Sequence, residues 1–160
     1  MPTDIRMYNC AFGDCFKITQ NNPATNTRQV LFVDFGIHRS CKNNPVGWKD
    51  QRYQDIANDI YQTDPLNILH NNVDFLLSHY HADHYSGLDH LPTGWKFNNV
   101  YIPDVWNDKI NIEVINLLLL RDVYTTAALD NGRSLIDFLI KICHTTGRIH
   151  FVQRGRTFQN

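Results

Sequence analysis

Val73-Asp74-Phe75-Leu76-Leu77-Ser78-His79-Tyr80-His81-Ala82-Asp83-His84-Tyr85-Ser86-Gly87-Leu88 is the stretch whose reading decides the fold. Val73 to Leu77 is apolar apart from Asp74 and reads as a buried strand. Ala82 to Leu91 can start a helix. Between them, His-x-His-x-Asp-His places three imidazoles and a carboxylate in six positions. With 8 His in 160 residues, chance would supply roughly 0.002 such patterns in a chain of this composition. A strand end that hands ligands to a loop, followed by a helix start that hands over more, aims neighbouring side chains at one place. The bland alternative is a polar loop with incidental histidines.

Imidazole and carboxylate together suit zinc, and also manganese or iron. His79 and His81 are two apart, so in an extended loop they point the same way and pair on one ion. Asp83 and His84 are adjacent and can reach a second. A catalytic zinc keeps fewer protein ligands than a structural one, leaving a place for water. Four ligands split over two ions leave each short, so further donors are expected from elsewhere.

Three motifs in order carry a resemblance. They are Phe12-Gly13-Asp14-Cys15-Phe16-Lys17-Ile18, the strand Val30-Leu31-Phe32-Val33-Asp34-Phe35-Gly36, and His79-x-His81-x-Asp83-His84 before Ser86-Gly87-Leu88. Together they resemble the metallo-β-lactamase superfamily, and within it the branch that includes the hydrolase domain of bacterial competence (DNA-uptake) proteins. The resemblance implies an α/β fold, an αββα sandwich, of which residues 1–160 form a single domain cut to its N-terminal half or two-thirds. It implies a binuclear site with one or two zinc ions, manganese or iron being alternatives. His79 and His81 would hold the first ion and Asp83 and His84 the second. Asp83 would also be catalytic, orienting a metal-activated hydroxide toward a phosphodiester, a related ester or another small-molecule substrate. Nucleic acid is one such substrate. The alternative is a truncated, non-catalytic metal-binding remnant or interaction module of the same fold. Thioester hydrolysis and di-iron redox chemistry are further uses of that fold. An incomplete sandwich would leave a sheet face open for self-association or a partner chain.

In the family, the residue matching Asp34 supports the metal loop from behind. Read from the residues alone, Asp34 lies near the end of a strand that looks buried on both faces, and either caps the next loop or is paired, hydrogen-bonded or beside a metal. His144-Thr145-Thr146-Gly147 resembles the later family motif that gives a third histidine, yet the periodicity before it is helical and Gly147 suits a helix stop. His38, two residues after Gly36, could approach a metal site but reads rather as a solvent-facing loop histidine, His70 has no evident role, His90 reads as structural or exposed, and His150 is a weaker ligand candidate than His144.

Composition narrows the rest. Net charge is −1, so no global field recruits nucleic acid or an anionic membrane. Glu113 is the only glutamate, which excludes a His-Glu-x-x-His protease helix. Cys10, Cys15, Cys41 and Cys143 form no Cys-x-x-Cys pair and read as free thiols, a Cys10–Cys15 disulfide requiring an oxidising setting. Leu117 to Leu120 is the longest aliphatic run, too short for a bilayer. No basic-then-apolar leader opens the chain, so a cytoplasmic protein with no membrane partner is expected.

The remaining elements follow from periodicity. Strands are expected over Ile5–Asn9 and Cys15–Thr19, with a turn through Gln20–Arg28. Tyr53, Ile56, Ala57 and Ile60 predict a helix over Arg52–Tyr61. Strands are expected over Asn98–Ile102, Ile149–Val152 and Thr157–Phe158. Two more helices are expected, over Ile112–Leu129 and from Ser134. Arg148, Arg154 and Arg156 could meet phosphate, but three scattered arginines are more often a solvated face.

Overall fold

The computed structural model describes residues 2–10, 13–37, 45–63, 73–91, 95–104 and 146–153. The helices expected over Ile112–Leu129 and from Ser134, and the Thr157–Phe158 strand, fall outside these residues. So do His38, His70, His144, Cys41, Cys143, Arg154 and Arg156.

The described chain is α/β. Its six strands are β1 (Thr3–Met7), β2 (Phe16–Asn22), β3 (Thr27–Val33), β4 (Val73–Leu76), β5 (Phe97–Pro103) and β6 (Thr146–Val152), with the helix α1 (Trp48–Thr63) between β3 and β4. They form one sheet in sequence order, β1 to β6. The first three pair antiparallel, and β3 through β6 run parallel. The C-terminal ends of β3 and β4 therefore lie side by side, with Val33 opposite Leu76. In parallel sheets such ends collect binding loops.

One face of the sheet carries the core. Val30, Phe32, Val73, Phe75, Val100 and Ile102 are buried there, in one cluster with Tyr53, Ile56, Ala57 and Ile60 of α1. Burying a Phe or Ile side chain stabilises by about 1.5–3 kcal/mol each. Asp59 fixes the helix laterally. Its carboxylate accepts from Lys17 Nζ at 3.1 Å, from Arg6 Nη1 at 3.3 Å and from Tyr8 Oη. Burial, then Asp59, pushes the Tyr8 hydroxyl far up, so it stays a donor. Burial alone would raise the Asp59 pKa, but the bonds from Tyr8 and Lys17 and the charges of Lys17 and Arg6 outweigh it and leave it lowered.

The other face is less deeply buried, and among the described residues no helix packs on it. Ile5, Ile18 and Leu31 are aligned across β1–β3, as are Met7, Phe16, Val33 and Leu76 across β1–β4. Ile5 is 65% and Met7 71% exposed, and Phe16, Ile18, Leu31, Val33 and Leu76 are half-buried. So β3 is not buried on both faces, as its apolar run suggests. It alternates, and its apolar residues on the less buried face look in sequence like core ones.

Other boundaries move for local reasons. β2 and β3 extend into the polar segment and leave a turn of four residues, with Asn26 at φ 52°. The helix begins at Trp48 rather than Arg52, because Pro45–Trp48 forms its first turn. Trp48 N–H donates to Pro45 O at 3.0 Å, Gln51 N–H donates to Gly47 O at 3.0 Å, and Gly47 sits at φ 81°. Gly147, expected beyond a helix end, lies within β6. Cys10 and Cys15 are buried free thiols. Hydrogen bonding with Cys15 lowers the Cys10 thiol pKa, while burial, and then Cys10, raises that of Cys15.

Candidate metal centre

Instead of the helix expected from Ala82 to Leu91, two 3₁₀ turns follow β4, Ala82–His84 and Ser86–His90. The segment after β3 is the cause. Phe35 N–H donates to His84 O at 2.7 Å and Gly87 N–H donates to Phe35 O at 2.8 Å, so backbone groups that a helix would use internally are tied to a neighbouring chain segment. The approach is close. A Cβ on Gly36 would overlap the Asp83 carbonyl, and one on Gly87 would strike the Phe35 ring. Glycine is needed at both places for room.

Asp34 is the support. It is 3% exposed and sits at φ 57°, in the left-handed region, which Asp tolerates better than most residues. From there Oδ1 accepts Ser78 N–H at 2.7 Å, and Oδ2 accepts Ser78 Oγ–H at 2.7 Å and pairs with His84 Nδ1 at 2.9 Å. A carboxylate only accepts, so His84 Nδ1 carries the proton and its Nε2 keeps the lone pair. This is the carboxylate–histidine arrangement that orients metal-binding imidazoles.

The four residues expected to bind metal share one loop and their rings adjoin, but no three of them bring donor atoms within 4.8 Å of one another. His84 is 6% exposed. The His79 ring centroid lies 3.7 Å from that of His84 and 4.7 Å from that of His81. Asp83, half-buried, has Oδ2 3.9 Å from His84 Nε2. His79 and His81 face solvent. Partial burial, then the charges that His84 and His81 would carry, lowers the His79 pKa and favours the neutral, ligating imidazole. The loop's outer side is held by Tyr80 Oη, which donates to Pro103 O at 2.8 Å.

Two residues near the centre were given no ligand or support role by the sequence pattern. Asp14, in the Gly13-Asp14 hairpin, brings Oδ2 to 3.9 Å from His84 Nδ1. Among the described residues, Asp14, Asp34 and His84 are the group whose donor atoms all lie within 4.8 Å of one another, and His79, His81 and Asp83 surround His84 more widely. The tight trio is poorly suited to an ion by itself, because Asp34 and His84 Nδ1 already satisfy each other. The Nε2 side of His84 remains for coordination. Ser78 is the second, and its only sequence signal is its place directly before His79.

The other described histidines lie apart. His90 stacks on Tyr53 at 4.4 Å and meets Gln54 Nε2 at 3.3 Å through Nδ1. His150 stacks on Tyr101 at 4.9 Å and meets Asn99 at 3.0 Å. Arg148 is exposed on β6.

Among the described residues, no helix is long and apolar enough to cross a membrane. No protein-family model, no curated protein and no solved structure matches this chain.

Proposed function

We propose that this chain is a metal-dependent hydrolase of the metallo-β-lactamase type, its sheet one layer of an αββα sandwich, acting on a phosphodiester or related ester. The observation that carries the reading is the gathering of His79, His81, Asp83 and His84 in one loop, with ring centroids 3.7 and 4.7 Å apart and His84 oriented by Asp34. Nitrogen donors with one carboxylate fit zinc, and next manganese or iron. His79, His81, Asp83 and His84 would hold one or two ions. A divalent ion there supplies Lewis acidity and makes water acidic enough to attack an ester near neutral pH.

The chain's own residues do the rest. Asp83, besides helping to hold an ion, would orient the attacking water. Asp34 keeps His84 Nε2 turned away from the sheet's support. Solvent-facing His79 and His81 leave the centre open to a substrate. Protein loaded with zinc or manganese should cleave bis(4-nitrophenyl) phosphate, and Asp83→Ala should abolish turnover. Undiminished turnover in that variant would defeat the assignment.

A second reading, a non-catalytic metal-binding module, is favoured by one observation. Among the described residues, the loop's four donors gain only Asp14 as a further carboxylate not already committed to hydrogen bonds. Metal counting separates the two. Two tightly held ions per chain support the hydrolase, and one or none supports the module.

A further inference from the structure

The Asp34 carboxylate reaches a second histidine through Ser78. Ser78 N–H donates to Oδ1 at 2.7 Å and Ser78 Oγ–H to Oδ2 at 2.7 Å. The hydroxyl has one proton, and it is donated in the bond to Asp34. Ser78 Oγ also lies 2.9 Å from His79 Nδ1. With its proton spent, Oγ can only accept there, so His79 Nδ1 must donate.

We propose that Ser78 is a positioning residue that sets the tautomer of His79, so that one carboxylate oxygen orients two imidazoles. Asp34 Oδ2 accepts a hydrogen bond from His84 Nδ1–H directly at 2.9 Å and holds His79 through the Ser78 hydroxyl. Both rings then carry hydrogen on Nδ1 and a lone pair on Nε2. Which ring nitrogen is protonated is set by the partner of the other, and neutral imidazole left to itself favours hydrogen on Nε2. Without the relay, His79 would turn a proton rather than a lone pair toward an ion. The purpose of the relay rests on the hydrolase reading, but its test does not.

The full metal-free chain is examined by long-range proton–nitrogen spectra at about pH 8, above the usual His pKa. Signals are assigned by their loss in His79→Gln and His84→Gln. Wild type should show hydrogen on Nδ1 of both His79 and His84. Ser78→Ala should move the His79 proton to Nε2 and leave His84 unchanged, and Ser78→Thr, which keeps the hydroxyl, should restore it. Zinc affinity should fall about 10–100-fold in Ser78→Ala and recover in Ser78→Thr. Hydrogen on His79 Nε2 in wild type, or on Nδ1 in Ser78→Ala, overturns the proposal. Should Ser78→Ala fail to fold, the wild-type and Ser78→Thr spectra decide. The expected tautomers in a zinc-loaded chain without phosphodiester turnover would uphold the relay and remove the hydrolase reading.

Discussion

Asp34 holds a left-handed backbone at φ 57° while its carboxylate serves Ser78 and His84. Asn accepts the same backbone conformation, so Asp34→Asn isolates the side-chain chemistry. Its amide nitrogen would present hydrogen where Oδ2 now accepts, and His84 would have to turn its lone pair inward. We expect zinc affinity to fall about 10–100-fold and folding stability to drop by about 1–3 kcal/mol, measured by zinc titration and urea unfolding. Equal zinc affinity in the variant would show that Asp34 does not orient a ligand. At this scale the sequence was legible for the histidine-rich loop and, through the resemblance, for Asp34 behind it, and opaque for Ser78 between them. His79, His81, Asp83 and His84 announce themselves by spacing. The Ser78 bond to Asp34 spans 44 residues, and nothing local in Leu77-Ser78-His79 reports it.

Among the elements, α1 is tied to the sheet by Asp59 with Lys17, Arg6 and Tyr8. A carboxylate whose folded pKa lies below its unfolded one contributes stability above the unfolded value, and loses it as pH falls through the folded value. The Asp59 pKa is lowered from 3.8. Wild type should therefore exceed Asp59→Asn in urea midpoint above about pH 5, with the gap closing below about pH 4. A gap that is constant with pH would remove the ionic part of the argument. The contact of Gly36 with the Asp83 carbonyl predicts that Gly36→Ala costs about 1–3 kcal/mol or more, seen in thermal unfolding, although both residues are small. Helix α1 and strand β4 were readable because one apolar stripe and one apolar run have single interpretations. The turns after β4 were not, because their backbone bonds are made to Phe35, on a distant part of the chain. Trp48 to Gln51 carries no apolar repeat, and only Pro45 and Gly47 hint that a helix starts there.

For the whole molecule, the contrast between the two sheet faces is the main fact. The face under α1 holds fully buried Phe32 and Phe75, while Ile5 and Met7 on edge strand β1 stand in solvent. Ile56→Ala should cost about 2–5 kcal/mol, whereas Ile5→Thr and Met7→Thr should stay within about 0.5 kcal/mol, each read from urea unfolding. A large loss at Ile5 or Met7 would mean that this edge is covered in solution. Strand order follows chain order from β1 to β6, which is why alternating apolar segments were enough to suggest an α/β sheet. The two-sided fate of Leu31 and Val33 was not legible, since apolar residues are written alike whether a helix covers them or nothing described does.

The mutual bonding of residues 34–36 with the loop after β4 bears on motion. Asp34 N–H donates to Leu76 O, Phe35 N–H to His84 O, Gly87 N–H to Phe35 O, and Ser78 N–H to the Asp34 carboxylate. These amides seal one seam from both sides, so they should exchange with deuterium as a single slow block. The β2–β3 tip at Ala24 and Thr25 should exchange orders of magnitude sooner. The centre would then open in one cooperative event, and any ligand that closes the seam should retard all four amides together.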